Sequence, residues 1–250
     1  MPEIQARLRG RRLAAFLDYD GTLTPIVPRP ELAVLADGMR AALERLARLA
    51  PVAVVSGRDL ADVRARVGLE LVYAGSHGFD IAGPGGVRFE HPRGLAALPA
   101  LDAAERQLRA ALAGVEGVLV ERKRFTLAVH YRQVRAAFTP AVERAVDAAL
   151  GTPAPLRKMR GKNVFELLPD LDWDKGAAVL WLLEALALAG NDVLPLYAGD
   201  DVTDEDAFRA LQGRGLGIVV AAEPRATAAR YRLRDPEEVG AFLEALAGDL

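Results

Sequence analysis

Two carboxylates stand two residues apart at the end of an apolar run, in Phe16-Leu17-Asp18-Tyr19-Asp20-Gly21-Thr22-Leu23-Thr24. A carboxylate can attack phosphorus and carry the phosphoryl group as an acyl phosphate. A second carboxylate nearby can protonate the departing oxygen and then take a proton from the attacking water. Asp18 therefore reads as a nucleophile and Asp20 as a general acid/base. Asp-Gly after a strand is also an ordinary turn, although the longer Asp-x-Asp-Gly-Thr pattern is less common. Ser56, in Val54-Val55-Ser56-Gly57-Arg58, can hydrogen-bond a phosphate oxygen with its hydroxyl and backbone N–H. Serine is equally an ordinary helix N-cap. Lys175, in Asp174-Lys175-Gly176, falls in the first turn of a helix, where its charge opposes the dipole by about a few tenths of a kcal/mol. That conflict favours a role in neutralising phosphate and Asp18; a solvated lysine is the plainer alternative. Gly199-Asp200-Asp201-Val202-Thr203-Asp204-Glu205-Asp206 completes the set. Acids at 204–206 simply suit a helix start, but Asp200 and Asp201 precede it. So much negative charge beyond a sheet end calls for a cation. Mg²⁺, which prefers oxygen ligands, fits Asp18, the main-chain carbonyl of Asp20 and Asp200.

These groups share one kind of position. Short apolar runs at 13–17, 52–55, 71–74, 194–198 and 216–220 each end in turn or polar residues, which predicts strands buried on both faces. Helical patterns at 37–49, 60–67, 175–188 and 204–212 lie between them. Strand alternating with helix means a parallel sheet covered on both sides, and ligands of such sheets bind beyond the carboxyl ends of the strands. The middle of the chain differs. A helix near 101–112, a strand pair or one long strand at 118–131, a second helix near 139–150 and an extended stretch at 156–168 predict a small α+β module. The expected organisation is a core at 1–93, the insertion at 94–168 and the rest of the core at 169–250. Glu121, Lys123 and Phe125 would share one face of the 118–131 stretch at period two. Lys162 and Glu166 are polar positions in an otherwise apolar stretch. A solvated sheet face would account for these charges equally well. His130, on an apolar strand, reads as a core histidine, and His91 has no evident role.

Bulk properties narrow the function classes. The 250 residues carry a formal net charge of −2, too small for a global field that would draw the chain to nucleic acid or an anionic membrane. About half the residues are hydrophobic (51%), enough for a sizeable core. There is no cysteine, hence no disulfide and no thiolate zinc site. The N-terminal stretch lacks a signal-like apolar segment, and no apolar run approaches the roughly 20 residues of a membrane span. A cytoplasmic monomer with no nucleic-acid or membrane partner is the expectation.

The motifs, in their order, resemble the haloacid dehalogenase (HAD) superfamily of phosphatases. The resemblance sharpens to the trehalose-6-phosphate phosphatase family through Asp18 to Ile26, Ser56-Gly57-Arg58, Gly75-Ser76-His77-Gly78, Glu121-Arg122-Lys123, His130-Tyr131-Arg132 and Gly161-Lys162-Asn163-Val164-Phe165-Glu166. It implies a Rossmann-like α/β core with a parallel sheet, plus an inserted α/β cap domain, type IIB-like, of the kind that closes over the active site. It implies that Asp18 is the nucleophile, Asp20 the acid/base, and Asp18, Asp20 and Asp200 the Mg²⁺ ligands. Ser56 and Lys175 would hold the phosphate, and Asp204 would orient the metal site or Lys175. Arg58 and His77 match positions at the cleft edge; Glu121, Lys123, Arg132, Lys162 and Glu166 match positions that grip the disaccharide. The implied activity is hydrolysis of trehalose 6-phosphate, the last step of trehalose biosynthesis. The chain has no room for the synthase domain that sometimes precedes this phosphatase, so a stand-alone enzyme is expected. A phosphatase for sucrose phosphate or mannosylglycerate phosphate, a sugar phosphomutase and a non-catalytic sugar-phosphate sensor are the alternatives.

Overall fold

The computed structural model describes residues 2–151, 155–161 and 163–250. The first compact unit comprises Met1–Phe89 and Trp173–Leu250, and the second comprises Glu90–Asp172. In chain order the first unit begins with α1 (Pro2–Leu8), β1 (Arg12–Leu17), α2 (Asp37–Ala47), β2 (Val52–Val55), α3 (Leu60–Val67), β3 (Val72–Gly75), β4 (Asp80–Ala82) and β5 (Arg88–Glu90). The second holds α4 (Pro92–Ala96), α5 (Leu98–Ala111), β6 (Leu119–Arg122), β7 (Leu127–His130), α6 (Thr139–Ala149), β8 (Leu156–Gly161) and β9 (Val164–Pro169). The chain then returns to the first unit with α7 (Lys175–Ala185), β10 (Val193–Gly199), α8 (Asp204–Ala210), β11 (Leu216–Val220), β12 (Tyr231–Leu233) and α9 (Pro236–Asp249).

Among the described residues the first unit forms an eight-stranded sheet in the order β12-β11-β10-β1-β2-β3-β4-β5. From β12 to β3 the pairing is parallel, and β4 joins β3 antiparallel. β2 and β3 run outward on one side of β1, while β10 to β12 run outward on the other. The order therefore reverses at β1, the switch point where open α/β sheets bind ligands. The apolar runs are continuous because both faces are buried. Leu13, Ala15 and Leu17 enter a core with Leu43, Leu46 and Leu243, whereas Ala14 and Phe16 enter another with Val179, Leu183 and Phe208. Side-chain alternation thus uses every residue of β1 after Arg12, which is exposed.

The second unit packs α5 and α6 on one face of an antiparallel sheet ordered β6-β7-β9-β8. Leu101, Leu108, Val142 and Val146 from the helices meet Val120, Leu127, Val129, Phe165 and Leu167 from the strands. The 118–131 stretch is a hairpin, closed where Lys123 N–H donates to Thr126 O at 2.9 Å. β6 ends at Arg122, so the expected alternation stops there; Lys123 opens the turn, and Phe125, within it, is fully buried. The 156–168 stretch is likewise two antiparallel strands, β8 and β9. Across the face opposite the helices, register places Glu121 beside Ala128, Ala128 beside Glu166 and Glu166 beside Met159.

One turn in the first unit has no slack. Gly78 adopts φ +91°, and a Cβ there would lie 2.2 Å from the Ala178 Cβ on α7. Gly78→Ala combines left-handed strain with overpacking, and should cost about 2–4 kcal/mol. A thermal melt should show a Tm lowered by roughly 5–10 °C.

Candidate active site

Each candidate group is set by a strand end or a helix start. Asp18 follows β1, where its N–H still donates to Ala198 O of β10 at 2.9 Å. The loop then folds onto itself: Leu23 and Thr24 N–H both donate to Tyr19 O at 3.0 Å, and Gly21 N–H donates to Thr24 O at 2.7 Å. Gly21 has φ +84°, and a Cβ there would sit 2.1 Å from Asp200 Oδ2. Glycine is therefore what lets the β1 and β10 loops close on one another. Lys175 opens α7 behind the N-cap Asp174, which accepts from Ala177 N–H at 2.8 Å.

Lys175 is the centre of the arrangement. It is 3% exposed, and its Nζ donates to Asp18 Oδ1 at 2.8 Å and to Asp204 Oδ1 at 2.7 Å. Burial pulls its ammonium down, but the Asp18 and Asp204 carboxylates outweigh that and hold it well above the usual lysine value. Asp204, fully buried, also accepts from the Tyr197 hydroxyl at 2.7 Å and from Asp201 N–H at 2.9 Å. Gly199 makes room for it, since a Cβ there would lie 2.2 Å from Asp204 Cγ. Tyr197 went unnoticed in the sequence; its signal was a single tyrosine within the aliphatic run of β10.

Among the described residues Asp18, Asp200 and Asp204 offer carboxylate oxygens within 4.8 Å of one another. Three carboxylates facing one ammonium leave two negative charges, a deficit that matches a divalent cation. The donors are all oxygen, as a hard cation requires. Burial first, and then Asp204, push the Asp200 carboxyl up to about 7, with Lys175 opposing. A cation at these oxygens would bring it down again by stabilising the ionised carboxylate.

The other predicted residues fall in several places. Ser56 is buried at the end of β2, the strand next to β1, but its N–H donates to Ala74 O at 2.8 Å in the β2–β3 ladder. Its donor toward a phosphate is therefore the hydroxyl, not the backbone N–H as well. The Asp20 carboxylate is absent from the acid cluster and instead receives Arg58 Nε and Nη2, each at 2.7 Å. His77 is buried against the Ser56-Gly57-Arg58 turn: a Cβ on Gly57 would lie 2.8 Å from His77 Cε1. Ser76 and His77 both take positive φ, 48° and 57°, a costly conformation for consecutive non-glycine residues. It is secured by Ser76 N–H to Arg58 O at 2.7 Å and His77 N–H to Ser56 O at 2.9 Å.

Within the second unit, Lys123 Nζ donates to Glu166 Oε1 at 3.2 Å, and His130 Nε2 lies 2.7 Å from Glu121 Oε2. The His130 hydrogen bond, foremost, holds the Glu121 carboxyl below its usual value. His130 is thus not a core histidine; period two along β7 puts it on the Glu121 face. Arg132 is exposed in the turn after β7, and Lys162 lies outside the described residues. His91 caps α4, its Nδ1 accepting from Gly94 N–H at 3.2 Å.

Residues 16–237 match the trehalose-phosphatase family profile. The chain belongs to the trehalose-phosphatase family. It is 47% identical over 251 residues to a trehalose-phosphate phosphatase of Mycolicibacterium paratuberculosis, covering 97% of this chain and 64% of that protein. It is 48% identical over 257 residues to an uncharacterized glycosyl hydrolase of Mycobacterium tuberculosis, covering 99% of this chain and 19% of that one. The chain thus spans less than two thirds of the length of these curated relatives. Among solved structures, the C-terminal domain of a trehalose-6-phosphate phosphatase from C. albicans superimposes with a TM-score of 0.83 at 24% identity, covering 99% of this chain and 96% of that one. The architecture is the HAD-type fold that the sequence implied, a mostly parallel α/β core with an inserted α/β unit.

The close approach of the Gly21 backbone to Asp200 gives a direct check on whether the acid cluster holds a cation. Gly21→Ala should displace the Asp200 carboxylate and lower Mg²⁺ affinity by at least about 10-fold. Isothermal titration of the metal, with circular dichroism to verify the fold, reads this without reference to turnover.

Proposed function

We propose that the protein is a phosphatase that hydrolyses trehalose 6-phosphate to trehalose and inorganic phosphate. The observation that carries this reading is the buried Asp18 at the switch point of the sheet, with one oxygen on Lys175. Asp18 attacks phosphorus, the bond from phosphorus to the sugar oxygen breaks, and Asp20 supplies the proton that oxygen takes. Water then attacks the aspartyl phosphate and gives a proton to Asp20, and the Asp18 carboxylate is regenerated as phosphate leaves. Lys175 and the Ser56 hydroxyl hold the phosphoryl oxygens, and Asp204 keeps Lys175 aimed. Positioning and charge stabilisation of this kind supply most of the catalysis in phosphoryl transfer. Asp18, Asp200 and the Asp20 carbonyl would hold Mg²⁺, with Asp204 beside them; when bound, the cation supplies charge neutralisation for the phosphoryl group.

The segment 94–168 serves, in this reading, as the cap that selects the sugar. Glu121, Lys123 and Glu166, whose carboxylate and ammonium groups suit hydroxyl recognition, support it, as does their common sheet region. Arg132 and Lys162 act with them, and Arg58 and His77 stand at the margin of the site. Among the described residues no helix is long and apolar enough to cross a membrane. We place the enzyme in the cytoplasm, as a monomer, at the step that releases trehalose.

Asp18→Asn should lower phosphate release by at least about 10³-fold while leaving the fold intact. In a panel of sugar phosphates with Mg²⁺, trehalose 6-phosphate should have the highest kcat/KM; a clear win for sucrose phosphate or another sugar ester would overturn the substrate assignment. Glu121→Gln should raise KM for trehalose 6-phosphate and leave hydrolysis of a small generic ester nearly unchanged.

A further inference from the structure

Arg58 is 8% exposed, and four of its five N–H groups have acceptors. Nε reaches Asp20 Oδ2 and Nη2 reaches Asp20 Oδ1, each at 2.7 Å. Nη2 also donates to Pro30 O at 2.9 Å, and Nη1 to Asp62 Oδ2 at 2.8 Å. The guanidinium lies over the Tyr19 ring, 5.4 Å from its centroid. Asp62 is itself fixed, since Arg66 Nε lies 2.9 Å from both of its oxygens and Arg66 Nη1 donates to Ala33 O at 2.9 Å. Tyr19 donates to that same Ala33 carbonyl at 3.1 Å. A fork so fully committed has little left with which to read a sugar hydroxyl. What it does determine is the plane and location of the Asp20 carboxylate, because a bidentate pair fixes both.

The backbone of the same residue reaches the phosphate side. Arg58 N–H donates to the Ser56 hydroxyl oxygen at 3.1 Å, and its carbonyl accepts from Ser76 N–H at 2.7 Å. One residue thus sets Ser56 through its main chain and Asp20 through its side chain. We propose that Arg58 is a positioning residue for the Asp20 carboxylate, braced by Asp62 and Arg66, rather than a ligand of the sugar. This role rests on the phosphoester-hydrolysis reading, in which Asp20 protonates the leaving oxygen.

Leaving-group chemistry tests it. An alkyl ester needs a proton on its departing oxygen, whereas para-nitrophenolate departs readily without one. kcat/KM isolates the steps up to release of the alcohol, before water attacks. With Arg58→Met, kcat/KM for trehalose 6-phosphate and for glucose 6-phosphate should both fall about 100-fold, the scale of general-acid catalysis, and para-nitrophenyl phosphate by less than about 5-fold. Arg58→Lys, which keeps the charge but not the fork, should show the same pattern with a smaller loss. Asp62→Asn, which loosens the fork from behind, should show it more weakly still. Equal losses on all three esters would make Arg58 merely structural, and a loss confined to trehalose 6-phosphate would make it a sugar ligand; either overturns the proposal. Should Arg58→Met not fold, the alkyl-to-aryl ratio in Arg58→Lys and Asp62→Asn decides by the same criterion. If the wild-type protein prefers another sugar ester, the substrate assignment fails while the alkyl-to-aryl comparison still reads Arg58.

Discussion

The ammonium of Lys175, buried between Asp18 and Asp204, is the interaction on which the rest of the site depends. Two carboxylates taken out of water, one at a strand end and one at a helix start, would repel each other and resist ionisation. Lys175 answers both, and it ties the end of β1 to the starts of α7 and α8. Its position in the first turn of α7 is locally unfavourable by about a few tenths of a kcal/mol. Two charge-assisted hydrogen bonds in a dry setting outweigh that. The packing follows from the same requirement: Gly176 has no Cβ because one would lie 2.5 Å from Asp206 O, so the two helix starts can approach closely enough for Lys175 to reach Asp204.

Much of this was legible in the sequence, for a physical reason. Strands buried on both faces leave continuous apolar runs, so β1, β2, β3, β10 and β11 stood out, and the polar residue ending each run marked a carboxyl end. A helix that begins on Lys175 or Asp204 is readable because its first turn carries a misplaced or a well-placed charge. Short edge elements left weaker traces. β4, β5 and β12 are three residues each, too brief for a period to register. The 118–131 stretch has no Gly or Pro at its reversal from Lys123 to Thr126, so a strand pair and one long strand read alike, whereas 156–168 does carry turn residues, Gly161 and Asn163, at its reversal. Tertiary partners were the least legible. Nothing local announces that Tyr197 will donate to Asp204, or that Arg58 will turn to Asp20 instead of outward.

The two units handle polar groups differently. In the first, the functional groups rise from strand ends, where main-chain ladders fix them: Ser56 N–H is committed to Ala74 and Asp18 N–H to Ala198. In the second, the candidate sugar-reading groups stand along a sheet face and are paired side chain to side chain, Glu121 with His130 and Lys123 with Glu166. Pairs of this kind are partly exposed, and each contributes little net energy. They hold orientation at little cost and can exchange one partner for a hydroxyl. A rigid frame suits phosphoryl transfer, which tolerates little misplacement, and adaptable pairs suit recognition of a neutral polyol.

Charge order separates the roles of the acids within the first unit. Asp20, Arg58, Asp62 and Arg66 alternate in sign and balance, so that array is electrostatically closed. Asp18, Asp200 and Asp204 around Lys175 are not balanced, and the excess is two negative charges. A cation is drawn to the open group and not to the closed one. The Asp20 carboxylate, although it stands two residues from Asp18, belongs to the closed array and not to the open one. Arg58 keeps that carboxylate apart from the Asp18, Asp200 and Asp204 group, and in the proposed mechanism that separation lets two aspartates on one short loop do different chemistry.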